Sequence, residues 1–152
     1  LNTLTLAFPA PAAFAASVLP RSHLINQGIK VRPKYVSSHD SVYLGVEKGL
    51  YPAGGGVMRT FNTQSPAIRD QLRVLWTTDA FTPHAIAVHP RVPRNSVARI
   101  QNSMYRMGTD ESGRELLAAI RFRGISPAQD SDWDDIRSLG INLLDDLVNG
   151  VR

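Results

Sequence analysis

The chain has 152 residues and a mass of 16.7 kDa, a size typical of a single domain. Hydrophobic residues make up 43% and charged residues 20% of it, which excludes a disordered or collagen-like chain. Cysteine is absent, and this excludes a disulfide scaffold, a thiolate zinc site and a cysteine nucleophile. The net charge of +4 favours anionic partners.

No apolar stretch approaches the ~18 residues that a membrane-spanning helix needs. The apolar start, Leu4–Phe8, is too short for the core of a signal peptide and lacks its basic flank. Because the first residue is Leu1 and not methionine, we expect either that a leader has been removed or that the chain is a piece of a longer protein.

The beginning of the chain predicts a strand followed by a helix. Leu4–Phe8 is a short apolar run typical of a buried strand. The Ala- and Leu-rich run Ala12–Gln27 predicts a helix that stops at Gly28. Pro20 lies inside this run, so we expect a kink or a break in the helix there.

A second strand and a second helix follow. Val31–Val36 is a strand candidate in which Pro33 favours an edge position. Residues 37–40 (Ser-Ser-His-Asp) supply capping residues for a helix over Ser41–Lys48, and Gly49 predicts its end.

Three further strands are predicted, at Ala53–Met58, Arg73–Thr78 and Ala85–Val88. Ser65 and Pro66 predict the start of a short helix among them. Strands that alternate with helices in this way indicate an α/β domain with a largely parallel sheet flanked by helices.

The second half of the chain predicts helices. Apolar residues recur at helical spacing in Pro93–Met107 and in Glu111–Ile120, with Asp110 as the cap of the second helix. An acidic third helix is predicted over Ser131–Leu139, and the tail after Gly140 is ambiguous.

Candidate ligand-binding residues lie at two strand-to-helix junctions. In an open α/β sheet, ligands bind beyond the carboxyl ends of the strands, where helix N-termini present free N–H groups. Polar side chains at the second junction either bind an anion in this way or only cap the helix. The first junction offers backbone N–H groups alone. The candidates are Ala13, Phe14, Ala15, Ser38, His39 and Ser41.

Three consecutive glycines, Gly54–Gly56, precede Arg59. They fit neither phosphate-loop motif, because the spacing differs and no Lys-Ser/Thr pair follows. Glycines inside a strand mark the close approach of another backbone or of a ligand, and both interpretations stay open. Arg59 either grips a phosphate or carboxylate with its planar guanidinium or is simply solvated.

Catalysis, metal binding and nucleic-acid binding find little support. His39 and Asp40 are neighbours whose side chains diverge, so they do not form the pair that a catalytic triad needs. His84 and His89 are five residues apart, so on a strand they would point to opposite faces and would not share a metal ion. The basic residues are spread along the chain without a nucleic-acid-binding signature. We therefore predict a protein that is not an enzyme, has no cofactor or metal and does not bind nucleic acid.

Three segments resemble a known family. They are LAFPAPAAFAASVLPRSHLINQGI, YVSSHDSVYLGVEKGLYPAGGGVMRTFN and LRVLWTTDAFTPHAIAVHP. In this order and spacing they resemble the phosphate/phosphonate substrate-binding proteins of bacterial ABC importers. Those are type II periplasmic binding proteins, in which two α/β lobes close on a ligand. The resemblance runs from about Leu4 to about Leu139.

The resemblance implies roles for residues at both junctions. The family's first motif is a strand followed by an Asp-Pro turn and by Ser/Thr residues at a helix start, whose hydroxyl and N–H groups hold the phosphonate oxygens. Ala10 stands at the Asp position of this motif. The hydroxyl positions are Ala13, Phe14 and Ala15, so backbone donation is what remains. The family's histidine at the next helix start matches His39.

Two other positions bear on the ligand. Aminophosphonate binders of the family place two carboxylates around the ligand amine, and this chain has Arg59 and His84 there. An amine would face a cation, which disfavours it. The resemblance thus implies a plain anion: phosphate, phosphite, a simple phosphonate or a carboxylate.

The resemblance also implies a domain organisation. Family members carry a first lobe of about a hundred residues before the strand that matches Leu4–Phe8, so we expect a fragment or a truncated relative. Its parts would be a type II periplasmic-binding-protein-like lobe over residues 1–90 and a helical return segment over residues 91–152. The apolar faces of the C-terminal helices would then lack their usual cover and predict a homo-oligomer.

The implied function is that of a periplasmic solute-binding component whose partners are the membrane subunits of an ABC importer. Two alternatives stay open. One is a sensory ligand-binding domain of the same fold in a signalling protein, and the other is a basic nucleic-acid-associated domain.

Overall fold

The computed structural model describes residues 3–142, which fall into two units. The first contains the described residues up to Ala80 together with residues 139–142, and the second is Phe81–Ser138. The first unit combines a small parallel sheet with helices, which confirms the predicted α/β class. The division into lobes at residue 90 stays a prediction.

The sheet is built around β1 (Leu4–Phe8), which pairs in parallel with β2 (Val31–Tyr35). On the opposite side of β1, Ala7 makes a parallel bridge to Gly54. Among the described strands β2 has β1 as its single neighbour, so Pro33, which has no N–H to donate, lies in an edge strand as predicted.

Helices follow each of these segments. In chain order they are a π-helical turn at Phe14–Val18, α1 (Leu19–Asn26), α2 (His39–Glu47), α3 (Met58–Phe61), α4 (Pro66–Arg69), α5 (Arg94–Arg106), α6 (Glu111–Ala119), a 3₁₀ turn at Asp130–Trp133 and α7 (Asp134–Arg137).

Near Pro20, where a kink or a break is predicted, the helical path continues but changes type. The π-helical turn Phe14–Val18 runs directly into α1 at Leu19, and Pro20 lies in the first turn of α1. Gly28 follows this helix with a φ of 71°, and Gly49 follows α2 with a φ of 70°. Both glycines therefore end helices in the left-handed conformation, as the sequence predicts.

Three strand predictions are corrected. Arg73–Thr78 and Ala85–Val88 contain no strand, and Ala53–Met58 contains only the bridge at Gly54 before α3 begins at Met58. A β-branched run becomes a strand only where a neighbour accepts its hydrogen bonds. The first two runs have no such neighbour within residues 3–142, and side chains such as Leu75 and Ile86 are exposed.

Two other predictions concern the end of the chain. The acidic helix predicted over Ser131–Leu139 is a 3₁₀ turn followed by the short helix α7. The ambiguous tail after Gly140 lies outside the described residues beyond position 142.

The core of the first unit lies between β1, α2 and the end of the π-helical turn where it meets α1. Its buried side chains are Leu6, Ala7, Phe8, Ala16, Val18, Leu19, Val42 and Tyr43. Apolar burial of this kind contributes about 25 cal/mol for each Å² of surface removed from water. This core fixes the ends of the strands relative to the helices that follow them.

The second unit is helical. Asp110 caps α6 by accepting a hydrogen bond from the Gly113 amide at 2.8 Å, as predicted. Ile100 and Met104 of α5 and Leu116 of α6 line a shared groove, whereas Leu117 is buried. Within residues 3–142, no helix has the length and apolar character needed to cross a membrane.

Candidate functional site

Three segments of the chain end at the same edge of the sheet. β1 and β2 run in parallel with Phe8 opposite Tyr35, and the Val36 amide donates to the Phe8 carbonyl at 2.9 Å. The segment at Gly54 is also parallel to β1. The turns after these segments, which carry seven of the eight predicted site residues, therefore emerge on one side of the first unit.

The glycine run is explained by close packing. A Cβ atom on Gly54 would lie 2.5 Å from Val42 Cγ1 and 2.7 Å from the Ala7 carbonyl oxygen. A Cβ on Gly55 would overlap the Ala16 carbonyl, and one on Gly56 would overlap the Tyr43 ring. Of the two interpretations that the sequence leaves open, the contacts support backbone approach. Because these glycines have no side chain, the segment can pack closely against β1, the π-helical turn and α2.

The N-terminus of α2 presents several hydrogen-bond donors. Ser38 is the N-cap residue, and its hydroxyl oxygen accepts a hydrogen bond from the Ser41 amide at 3.0 Å. The same hydroxyl donates to Ser41 Oγ at 2.8 Å. The backbone amides of His39 and Asp40 have no partner among the described residues. The Ser41 hydroxyl accepts the hydrogen bond from Ser38 and donates its own proton to no described residue. A helix N-terminus with free amides attracts anions.

His39 begins α2 and is half-buried. Its Nδ1 atom is enclosed and has no hydrogen-bond partner in the part of the chain that the structure describes. The neighbouring Asp40 carboxylate accepts from Gln64 Nε2 at 2.6 Å, which fixes its negative charge against an amide. The Asp40 carboxylate therefore accepts no hydrogen bond from His39 Nδ1.

The first junction contains the π-helical turn. The Ala13 carbonyl accepts from both the Ser17 amide at 2.7 Å and the Val18 amide at 3.2 Å. Ala13 and Phe14 are half-buried and Ala15 is exposed. The Ala15 amide has no partner within the described residues, so the backbone of this turn does offer a donor.

Arg59 lies on α3 and is exposed, with no ion pair to a described residue. The start of α3 is held by Tyr43 of α2, whose hydroxyl accepts from the Val57 amide at 3.0 Å. Sequence reasoning missed Tyr43. The available signal was its spacing of four residues from His39, which places both residues on one face of a helix.

His84, the eighth predicted residue, belongs to the second unit and is exposed. The two residues before it make hydrogen bonds within the same unit. The Thr82 amide donates to Asp135 Oδ2 at 2.7 Å, and Trp133 Nε1 donates to the Pro83 carbonyl at 2.8 Å. The hydrogen bond from the Thr82 amide lowers the pKa of Asp135 below its usual value. The ligand-binding role of His84 stays a prediction.

The described residues contain no group of three or more His, Asp or Glu side chains arranged to hold a metal ion. The donors at the edge of the sheet are instead amides, a hydroxyl, an imidazole and a guanidinium. This is a donor set for oxygen atoms of an anion.

A parallel α/β sheet whose strands end at helix N-termini is the arrangement at which open α/β proteins bind their ligands. Comparison with protein families matches residues 1–133 to the family described as "ABC transporter, phosphonate, periplasmic substrate-binding protein". The chain belongs to this family, which confirms the resemblance seen in its three motifs. A search of curated proteins found no match.

Membership places the chain among periplasmic substrate-binding proteins of ABC transporters. This family binds and delivers a substrate and is not a family of enzymes. The family's periplasmic location and its transport role therefore apply to this chain.

Proposed function

We propose that the first unit binds a phosphate- or phosphonate-type oxyanion at the edge where β1, β2 and the Gly54 segment end. The observation that carries the proposal is the N-terminus of α2. There the amides of His39 and Asp40 and the hydroxyl proton of Ser41 all lack partners among the described residues. Unpaired donors at a helix N-terminus are what an oxyanion binds.

The predicted residues contribute to anion binding in different ways. The Ala15 amide donates from the first junction, since the side chains of Ala13, Phe14 and Ala15 carry no hydroxyl and the Ala13 amide already donates to the Ala10 carbonyl at 3.2 Å. His39 donates from its imidazole, and Arg59 supplies a positive charge. Ser38 supports the site by capping α2, and Ser41 donates to the anion. A ligand-binding role of His84 stays a separate prediction.

The charge of the site selects among phosphorus oxyanions. Arg59 is exposed and has no acidic partner among residues 3–142, so a ligand amine beside it would be repelled. Phosphate, phosphite or a simple phosphonate is therefore favoured over an aminophosphonate. The cargo would pass to the membrane subunits of an ABC importer, which are the partners we propose.

The test is calorimetric titration of the protein with phosphate, methylphosphonate and aminoethylphosphonate. We expect the two ligands without an amine to bind more tightly than aminoethylphosphonate. Preference for aminoethylphosphonate would contradict the charge argument. An absence of heat with all three ligands would contradict the function itself.

The matched variants for this titration are His39→Ala and His89→Ala. His39→Ala should weaken binding by about 1–3 kcal/mol, the range for a hydrogen bond to a charged group. His89 is exposed in the second unit, and its replacement should leave binding unchanged. An unaltered affinity together with a lower melting temperature in His39→Ala would make His39 a structural residue.

A further inference from the structure

Tyr43 connects α2 to the segment that carries Arg59. Its hydroxyl accepts from the Val57 amide at 3.0 Å and lies 3.0 Å from the Val57 carbonyl and 2.9 Å from Thr60 Oγ1. The hydroxyl has one proton, so it donates to one of these two oxygens while Thr60 Oγ1 donates to the Val57 carbonyl at 3.0 Å. Tyr43 is only 7% exposed, so this network is shielded from water.

The helix α3 depends on these contacts for its position. It has four residues, and its N-cap Val57 offers no side-chain hydrogen bond. Helices of this length are not stable by themselves, because the conformational entropy lost in forming the first turn exceeds the stabilisation that its hydrogen bond gives. The Tyr43 ring also packs edge-on against Phe61, with ring centroids 5.6 Å apart. Tyr43 therefore contacts α3 at both its start and its end.

Tyr43 is also fixed relative to the N-terminus of α2. It lies one turn after His39 on the same helix, and i,i+4 residues share a face. On its other side the ring lies against Gly56, where any side chain would overlap it. A shift of Tyr43 would therefore move α3 relative to the free amides of α2.

We propose that Tyr43 is a positioning residue that, by fixing α3 against α2, holds Arg59 in place for the proposed oxyanion site. The inference rests on the proposed oxyanion function and names a residue that neither the motifs nor the family match assigns. Binding sites lose affinity when a charged group is held loosely, since geometry must be kept within about 0.5 Å. The hydroxyl of Tyr43 acts through Arg59 and does not itself touch the anion.

The experiment is a double-mutant cycle with Tyr43→Phe and Arg59→Gln, read as the dissociation constant for methylphosphonate and for phosphate. Tyr43→Phe removes one oxygen atom and keeps the ring. We expect it to weaken binding about three- to tenfold in the wild-type background, within the range for coupled residues. In the Arg59→Gln background the same change should have almost no effect, because there is no guanidinium left to position.

Tyr51→Phe is the matched control. Tyr51 is half-buried in the same unit, and its ring packs against Gly45, while its hydroxyl has no partner among the described residues. This variant should bind like the wild type. Loss of stability alone does not change a dissociation constant measured well below the melting temperature, so the cycle separates positioning from folding.

The outcomes distinguish the inference from the function on which it rests. If the wild type binds but Tyr43→Phe binds equally well, the positioning role is wrong. If Tyr43→Phe weakens binding equally in both backgrounds, Tyr43 acts on the ligand without Arg59, and the inference is again overturned. If the wild type binds neither probe, the proposed function fails and the positioning role fails with it.

Discussion

The two serines at the N-terminus of α2 have different roles. Ser38 accepts from the Ser41 amide and caps the helix, whereas Ser41 keeps its hydroxyl proton. We expect Ser38→Ala to lower the free energy of unfolding by about 1 kcal/mol, the usual cost of losing an N-cap. Ser41→Ala should instead weaken anion binding with little effect on stability. Denaturant unfolding and calorimetric titration of both variants check this, and the reverse pattern would contradict it.

Ser17 is a buried residue whose hydroxyl has no partner. The residue is 0% exposed, and its Oγ makes no hydrogen bond with the described residues. A buried unsatisfied polar group costs about 1–3 kcal/mol. Ser17→Ala should therefore raise the free energy of unfolding by about 1 kcal/mol, measured by urea titration. A destabilised Ser17→Ala would show that the hydroxyl is satisfied in solution by a water molecule.

At the scale of elements, the glycine run determines how the third segment of the sheet packs. Gly55→Ala should destabilise the protein severely, by about 3 kcal/mol or more, because its Cβ would overlap the Ala16 backbone. The control is Gly124→Ala, where no atom lies within 4 Å of the new Cβ. Thermal unfolding of both variants checks the prediction. Similar melting temperatures for the two would mean that the segment at Gly55 packs elsewhere.

The link between Thr82 and Asp135 should respond to pH. The Thr82 amide lowers the pKa of Asp135 below its usual value of 3.8. A carboxyl with a lowered folded-state pKa stabilises the protein above its unfolded-state pKa, and this contribution is lost as the pH falls through the folded-state pKa.

We therefore expect the wild type to lose more stability than Asp135→Asn when the pH falls from 6 to about 3. Thermal melts across this range measure the difference. Glu115→Gln, which removes an exposed carboxyl from α6, is the control and should follow the wild-type profile. Parallel pH profiles for the wild type and Asp135→Asn would show that the hydrogen bond contributes nothing in solution.

At the scale of the whole molecule, the helices of the second unit leave an apolar face. Leu117 is buried at 2% exposure, whereas Ile100, Leu116 and Ile120 are 44%, 63% and 56% exposed. Contiguous exposed apolar surface on a soluble protein marks an association site. We therefore predict a homo-oligomer through α5 and α6.

Light scattering over a concentration series tests this prediction. Leu116→Asn should shift the population toward the monomer, because each buried leucine stabilises an interface by about 1.5–3 kcal/mol. Leu75→Asn is the control, since Leu75 is 67% exposed in the other unit. A wild-type protein that is monomeric at every concentration would contradict the prediction.

Features that depend on neighbouring residues could be predicted from local sequence patterns. Ser38 caps α2, Gly28 and Gly49 end helices, and Pro33 lies in an edge strand, all as predicted. Each of these signals acts through the backbone within a few positions of itself. The three motifs also identified the family, whose model matches residues 1–133.

Features that need a partner far away in the chain could be seen only in the folded structure. Arg73–Thr78 has strand composition but no strand beside it among the described residues, so it stays irregular. The glycine run is needed because Ala16 and Tyr43, which lie elsewhere in the chain, pack closely against Gly55 and Gly56. The hydrogen bond between the Tyr43 hydroxyl and the Val57 amide could not be predicted from the sequence for the same reason. Hydrogen bonds and close contacts across such separations depend on how the chain packs, and local sequence patterns do not encode that packing.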